Sequence, residues 1–461
     1  MEALTHIIDF AGGIVWGPVL IVLLVGTGGY LTSVLKGIQF RKLPHSLAII
    51  TGKYDSPKDE GEISHFQALS TALSATIGTG NIAGVATAIA SGGPGAVFWM
   101  WITAVFGMAT KYTSCLLSLK YRKFNPDGST SGGPMYFLKY GLNSSRLGWL
   151  FALFGCLASF GIGNMVQSNS VANPLFDILR IPKPITGIII AILVGLVIIG
   201  GIKRIGQVTS RIVPFMTVIY ILGAMAIILI NYEKIPGVFS LIFHHAFAPT
   251  AAAGGFLGAT VMQTIRFGVA RGVFSNESGL GSAPIAYAAT RTREPVRAGL
   301  VSMAGPFIDT IIICSMTAIV ILISGFWKDG RSGGIITGAT LSAESFEATL
   351  PFAGHYIVTF GIIFFAFSTI ISWSYYGDRC AEYLFGTWAI KYYRWIYVLL
   401  IPLGATIKLN LIWGLSDVAN GLMAIPNLIG ILGLSRVAVR ETEDYFLKKT
   451  VSGSGQGKNI L

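Results

Sequence analysis

Apolar residues in this chain come in runs long enough to cross a bilayer, and that feature constrains its fold more than any other. Gly12–Leu35 and Ile185–Ile199 are examples, and a helix of about 20 apolar residues matches a hydrocarbon core of roughly 30 Å. Hydrophobic residues make up 53% of the chain and charged ones only 12%, against roughly 25% charged in soluble domains. The 461 residues would otherwise suggest two or three soluble domains, but the polar connections are too short to hold one. Residues 1–12 carry no lysine or arginine ahead of the first apolar run. That favours a retained first span over a cleaved leader.

The pattern predicts an all-α polytopic membrane protein with eleven spans, near 13–35, 64–90, 94–121, 147–171, 185–201, 211–231, 254–289, 298–325, 354–377, 391–408 and 411–434. Most of the 33 Lys and Arg fall in the loops after the odd-numbered spans or at their ends, from Lys36, Arg41 and Lys42 to Arg379, Lys391, Arg394, Arg436 and Arg440. The alternate loops hold far fewer: Arg180, Lys183, Lys234, Lys328 and Arg331, with Lys408 near a span end. The positive-inside rule then puts the N-terminus outside the cell membrane and the C-terminus in the cytoplasm. The net charge of +12 is thus explained by orientation. No basic surface interleaved with stacking aromatics accompanies it, so nucleic acid is not an expected partner; membrane lipid is.

Two spans are interrupted. Span 2 contains Ser74-Ala75-Thr76-Ile77-Gly78-Thr79-Gly80-Asn81, and span 7 contains Arg271-Gly272-Val273-Phe274-Ser275-Asn276-Glu277-Ser278-Gly279-Leu280-Gly281-Ser282-Ala283-Pro284. Glycine and proline at membrane depth weaken a helix, and freed backbone must be buried in protein or face a cavity. The breaks lie five spans apart in helices of opposite direction. This predicts a five-plus-five inverted repeat with the broken helix first in each half, the arrangement that places a transporter's binding site at the repeat interface. The expected organisation is an N-terminal helix and cytoplasmic loop at 1–60, a first repeat at 61–231, an external loop at 232–253, a second repeat at 254–440, and a cytoplasmic tail at 441–461. The loops at 232–253 and 326–353 are each expected to carry a short helix over an outer vestibule, and the tail from Val451 is polar and glycine-rich.

The run Gly92-Gly93-Pro94-Gly95-Ala96-Val97-Phe98-Trp99-Met100-Trp101-Ile102-Thr103-Ala104-Val105-Phe106-Gly107, taken with both breaks, resembles the signature of the alanine or glycine:cation symporter family. The resemblance covers the chain from the first span to about Arg440. It implies a leucine-transporter-like fold, a sodium or sometimes proton gradient as driving force, and alanine or glycine as substrate. No cofactor is expected beyond the coupling ion, and no obligate protein partner.

An amino acid needs a carboxylate site, an ammonium site and a pocket sized to its side chain. At a break, the N-terminal end of a half-helix offers N–H groups to a carboxylate, and the C-terminal end of the other half offers carbonyls to a cation. Gly78 and Gly80 are expected to present N–H groups, with Thr79 and Asn81 alongside and the Thr76 carbonyl toward cations. Phe274, Ser275 and Asn276 are expected to complete a pocket small enough for glycine. In span 9, Ser368 and Thr369 resemble the hydroxyl pair that completes a sodium site in transporters of this fold. By that likeness the ion is held by Ser368, Thr369 and the Phe365 carbonyl, with carbonyls of Ser74 and Ile77. Hydroxyls bonded back to their own helix are the alternative. Thr369, Trp373 and Tyr376 share a helical face, which brings Trp373 to the substrate.

Span 4 carries Phe160, Asn164, Gln167 and Val171 on one face, for substrate contact or inter-helix bonding. Asp417, Asn420 and Asn427 form a similar stripe in span 11, for a gate or for packing. Arg271, Glu277 and Asp309 are deep ionisable groups that need partners or water. Glu277 could pair with Arg271 or Arg266, and Asp309 is either a proton or cation site or a structural hydrogen-bond acceptor. The six histidines fall at span ends or in loops, and the four cysteines (Cys115, Cys156, Cys314, Cys380) have no ligand spacing. With no Ser/His/Asp arrangement either, a membrane enzyme is disfavoured. A channel is disfavoured too, because paired broken helices suit alternating access rather than a continuous pore.

Overall fold

The computed structural model describes residues 2–56, 58–248, 261–328, 337–407 and 410–454. Outside them lie the first residues expected for span 7 (254–260), Arg331, Lys408 and the tail from 455. Among the described residues, seven helical segments are long and apolar enough to cross a membrane: His6–Val34, Ala96–Lys120, Ser145–Asp177, Gly201–Ile230, Pro295–Ser324, Ala353–Phe385 and Ile412–Gly433. The pair His65–Thr76 and Gly80–Gly92, bent by 51°, makes an eighth. The remaining segments read as spans hold a 16-residue apolar helix, an interrupted pair, and a helix at Ala389–Thr406. Among the described residues each falls short of a full span on length or apolarity.

In chain order the helices that matter are α1 (Glu2–Val15), α2 (Pro18–Val34), α3 (His65–Thr76), α4 (Val85–Gly92), α5 (Ala96–Lys120), α6 (Ser145–Phe160), α7 (Val166–Leu179), α8 (Lys183–Ile198) and α9 (Gly201–Ile230). Then follow α10 (Ile235–Phe247), α11 (Val261–Asn276), α12 (Ala283–Ala288), α13 (Pro295–Pro306), α14 (Ser315–Ser324), α15 (Gly338–Thr349), α16 (Ala353–Phe385), α17 (Ala389–Thr406), α18 (Asn410–Gly433) and α19 (Ser435–Ser454). The first apolar helix begins earlier than the sequence suggests, because the helical stretch extends to residue 2 and is interrupted only at Trp16-Gly17. Burial sorts the helices. α8 presents Ile185, Ile188, Ile192, Leu196 and other large apolar side chains outward, as a lipid-facing helix does. α5 and α16 are mostly enclosed, the greater part of each helix being buried. α3 and α11, which carry the breaks, pack beside them.

α3 begins with a capping box: the Ser64 hydroxyl accepts the Gln67 N–H at 3.2 Å, and the Gln67 side chain accepts the Ser64 N–H at 3.0 Å. It ends at Thr76. Ile77 is extended, and the chain resumes as a five-residue π-helical turn, Gly80–Gly84, before α4. In the second break α11 continues through Asn276, further than the glycine pattern implies. Glu277 (φ +55°) and Gly279 and Gly281 (both φ +92°) then reverse the chain before α12. α6 and α7 are joined through a second π segment, Gly161–Met165, and α13 and α14 through a third, Phe307–Cys314. Such segments are frequent at functional sites.

At one end of the bundle the approaches to the breaks are tied together. The Ala289 carbonyl accepts the N–H groups of Glu62 and Ile63 at 2.8 and 3.2 Å, and Ile63 O accepts the Arg291 N–H at 2.7 Å. Arg122, just beyond α5, donates to the carbonyls of Thr290 and Thr292 at 2.8 and 2.9 Å and of Glu60 at 3.2 Å. A two-stranded hairpin, β1 (Lys123–Phe124) with β2 (Thr130–Ser131), follows it. Arg379, which the sequence pattern places in a loop, instead lies inside α16, which runs on to Phe385. It is buried and bonded to Asp378 at 2.9 Å and Glu382 at 2.8 Å, while Arg394 pairs with Asp378 at 2.7 Å. Glu382 also accepts Ser131 and Asn125, which fastens the hairpin to α16. At the other end, α10 and α15 cover the bundle, and the Ser342 hydroxyl of α15 donates to the Ile82 carbonyl of the first π turn at 2.9 Å.

Candidate functional site

The two breaks meet at mid-bundle around a cavity of about 20 Å³ lined by Ala75, Thr76, Gly78, Thr79, Gly80, Ile162, Gln167, Phe274, Glu277, Thr369, Trp373 and Asn420. In this state it has room for about one water. The glycines are there because neighbours come close. A Cβ on Gly78 would lie 2.9 Å from the Thr369 hydroxyl, and one on Gly80 would lie 3.1 Å from the Ser275 Cα and 3.5 Å from the Phe274 ring. Phe274 also lines two larger hollows, one beside α15 and one beside α1 and α18. One, of about 420 Å³, reaches Thr79, Asp177, Arg271 and Trp413. The other, of about 210 Å³, reaches Arg266, Arg271 and Asp417. Phe274 stacks on Trp413 with ring centroids 6.3 Å apart, and the Arg271 guanidinium lies 5.7 Å from the centre of the Phe274 ring.

Beside the cavity, α3 and α16 bring together Ser74, Phe365, Ser368 and Thr369. Thr369 Oγ1 lies 3.1 Å from the Ser74 carbonyl and 2.9 Å from the Phe365 carbonyl. Ser368 Oγ lies 3.4 and 2.9 Å from the same two oxygens. The Ser74 hydroxyl donates to the Ser368 carbonyl at 2.7 Å and meets Ser372 Oγ at 2.8 Å. The hydroxyls of Ser74, Ser368 and Thr369 each donate to a carbonyl. Turned about its Cβ–O bond, that of Ser368 or Thr369 would aim a lone pair at a cation shared with those carbonyls, a ligand set of the hard oxygen type that suits such ions. Ile77 closes α3, its N–H on the Leu73 carbonyl at 2.6 Å.

Not every expected residue faces the cavity. The Gly78 N–H is taken by Asn81 Oδ1 at 2.9 Å, so it is not presented to a substrate in this state. The Thr76 hydroxyl bonds back to Ala72 and Leu73 of its own helix. Ser275 and Asn276 point away, because α11 remains helical through both and successive helical residues diverge by about 100°. Ser275 Oγ donates to Asp309 at 2.9 Å, and Asn276 Nδ2 to Thr310 at 3.1 Å. Asn164 and Gln167 also part company, since the π segment between α6 and α7 shifts the phase. Asn164 donates to the Tyr397 carbonyl at 2.6 Å. Gln167 lines the cavity, its Nε2 bonded to Ile162 O at 3.0 Å and 3.5 Å from Thr79 Oγ1. In α18, Asn420 faces the cavity, whereas Asn427 donates to Gly279 O at 2.8 Å and accepts from Ser114 at 3.0 Å.

The ionisable groups form two sets that spacing alone does not connect. Asp309 is fully buried and accepts Asn81 at 2.7 Å, Ser275 at 2.9 Å and Thr310 at 2.7 Å. It therefore bridges the first break to the second, with Cys314 Sγ 3.3 Å from Ser275 Oγ. Glu277 pairs with neither Arg271 nor Arg266; its carboxylate accepts the Ser282 hydroxyl at 2.6 Å. Lys111, buried in α5, donates to the Asn276 carbonyl at 2.9 Å. Its place inside α5 is the signal available in the sequence, the one charged residue of that helix ahead of Lys120 at its end.

The profile of the sodium:alanine symporter family matches residues 1–458. A sodium/alanine symporter of Methanococcus maripaludis, AgcS, is 51% identical over 443 residues, covering 95% of this chain and 96% of that one. A probable sodium/glutamine symporter of Bacillus subtilis, GlnT, is 39% identical over 451 residues, covering 97% and 92%. Among solved structures, that of MhsT in complex with L-phenylalanine aligns with a TM-score of 0.56 at 13% identity, over 84% of this chain and 99% of that one. That likeness concerns the fold, and it agrees with the leucine-transporter-like architecture expected from the sequence.

Proposed function

Since the chain belongs to the sodium:alanine symporter family, a family of multi-pass membrane transporters, we propose that it imports alanine, and glycine with it, by symport with Na+ through alternating access. One observation carries the reading: Thr369 belongs to both sites. It lines the central cavity, and its hydroxyl lies among the Ser74 and Phe365 oxygens proposed to hold the ion. A cation that draws in Thr369 and Ser74 fixes α16 against α3 at the wall the substrate touches, so each ligand favours the conformation the other needs.

In this reading Gly80, Thr79, Gln167, Phe274, Thr369 and Trp373 hold the substrate, and Ser74, Ile77, Phe365, Ser368 and Thr369 hold the ion. Thr76, Gly78, Ser275 and Asn276 set the shape of the breaks, and Asn164 ties the π segment after α6 to α17 through the Tyr397 carbonyl. The cavity admits an amino acid when Phe274 swings toward the larger hollows. We place those hollows outside the cell and the Arg122 clasp in the cytoplasm, with the N-terminus outside and the C-terminus inside. The eleven spans then comprise one helix plus repeats over 61–231 and 254–440. The test is equilibrium binding of labelled alanine with Na+ replaced by choline, repeated across pH. Alanine affinity should collapse without Na+ and vary little with pH.

A proton as coupling ion is the second reading, favoured by the buried Asp309 carboxylate that joins Asn81 of one break to Ser275 of the other. It requires pH-dependent binding that persists in choline.

A further inference from the structure

We infer that Glu277 receives the ammonium group of the amino-acid substrate. The inference rests on the reading above that the central cavity is the substrate site. Of the twelve residues that line the cavity, Glu277 is the one with an ionisable side chain. It stands at the turn where α11 ends, in a left-handed conformation (φ +55°) that a non-glycine residue adopts rarely. Backbone held in such a conformation is a feature of ligand sites. Its carboxylate has one hydroxyl partner, Ser282 at 2.6 Å, and the Trp373 indole beside it. Among the described residues no basic side chain lies within ion-pair distance of it.

A zwitterion leaving water must have its ammonium compensated, since an unpaired buried charge is costly. Helix-end carbonyls are the partners the sequence suggests for it. At the second break, however, the terminal carbonyl of α11, that of Asn276, is already occupied by the Lys111 ammonium at 2.9 Å. Lys111 acts there as a tethered cation whose charge reaches Glu277 electrostatically without an ion pair to it, so the carboxylate oxygens one residue on remain for the substrate. A carboxylate accepting an ammonium proton makes a charge-assisted hydrogen bond, stronger than one to a neutral carbonyl. Glu277 thereby selects amino acids over hydroxy acids of the same shape.

The experiment compares L-alanine with L-lactate, which carries a hydroxyl where alanine has its ammonium. Each is titrated as a competitor of labelled alanine on the purified full chain in saturating Na+, for wild type, Glu277→Gln and Glu277→Asp. The quantity read is the ratio of the two affinities, which does not depend on the fraction of active protein. A hydrogen bond to a charged group contributes about 1.5–3 kcal/mol, so Glu277→Gln should lower the ratio roughly tenfold to a hundredfold, with lactate affinity held or improved. Glu277→Asp, whose carboxylate is withdrawn by one methylene, should lower it less, and it decides the matter if the glutamine variant does not fold. An unchanged ratio, or equal loss of both affinities, overturns the inference. Failure of wild type to bind alanine at all would instead remove the parent reading.

Discussion

Replacing Thr369 with alanine removes one hydroxyl from the cluster between α3 and α16 while leaving both glycine breaks intact. In the structure that hydroxyl lies 3.1 and 2.9 Å from two carbonyl oxygens, of Ser74 and Phe365. As a neutral hydrogen bond it contributes about 0.5–1.5 kcal/mol to the fold, and as a bond to a charged group about 1.5–3 kcal/mol. The variant should therefore fold, yet bind Na+ roughly tenfold to a hundredfold more weakly, since about 1.4 kcal/mol is a decade. Because coupling between two sites is reciprocal, alanine affinity should drop at low Na+ and recover largely when Na+ is raised. Thr369→Ser keeps the oxygen and should stay near wild type. Trp373→Ala strips a cavity wall instead, so its loss of alanine affinity should persist at every Na+ concentration. The assay is alanine binding titrated against Na+ for all three variants. A Thr369→Ala deficit that Na+ does not rescue would refute the assignment of this oxygen to the ion.

Further expectations follow from neighbouring contacts. Gly80→Val places branched bulk where a Cβ alone would stand 3.1 Å from Ser275 Cα; it should abolish uptake with surface expression kept, and normal transport would make the break a packing feature. Leucine should compete with alanine far more weakly than glycine does, because Phe274 and Trp373 bound the cavity; equal competition would show a larger site. Arg379→Gln leaves the buried Glu382 carboxylate without its arginine and should cost about 3–5 kcal/mol of stability, measured as a lower unfolding midpoint in detergent; an unchanged midpoint would mean the network is wet.

The breaks are legible in the sequence because clustered glycines at membrane depth weaken a helix where lipid would otherwise hold it intact. The family resemblance points to Ser368 and Thr369, and the structure sets both hydroxyls beside the Ser74 carbonyl. Side-chain direction near a break is not. The span 7 pattern suggests that Phe274, Ser275 and Asn276 share one pocket, but the helix persists through Asn276, which leaves Phe274 on the cavity and turns Ser275 and Asn276 toward Asp309 and Thr310. At Asn164 the sequence leaves substrate contact and inter-helix bonding open, and the structure shows the latter; a π segment adds a residue to the turn, so ordinary helical spacing does not tell which face the side chain occupies. Arg379 escapes a sequence reading because a charged residue near the end of an apolar run looks like a loop. Its acidic partners Asp378 and Glu382 are close in sequence, and they let α16 continue with the charge buried. Partners drawn from several helices, as around Asp309, leave no local signature at all.

In the proposed symport, the movement of Na+ down its gradient drives the amino acid uphill. The direct measurement is the steady-state alanine ratio across sealed vesicles containing the purified chain, with an imposed inward Na+ gradient and no pH gradient. Alanine should accumulate above its external concentration, the ratio should rise with the Na+ gradient, and a sodium ionophore should abolish it. Alanine that merely equilibrates to equal concentrations on the two sides, whatever the Na+ gradient, would contradict sodium symport.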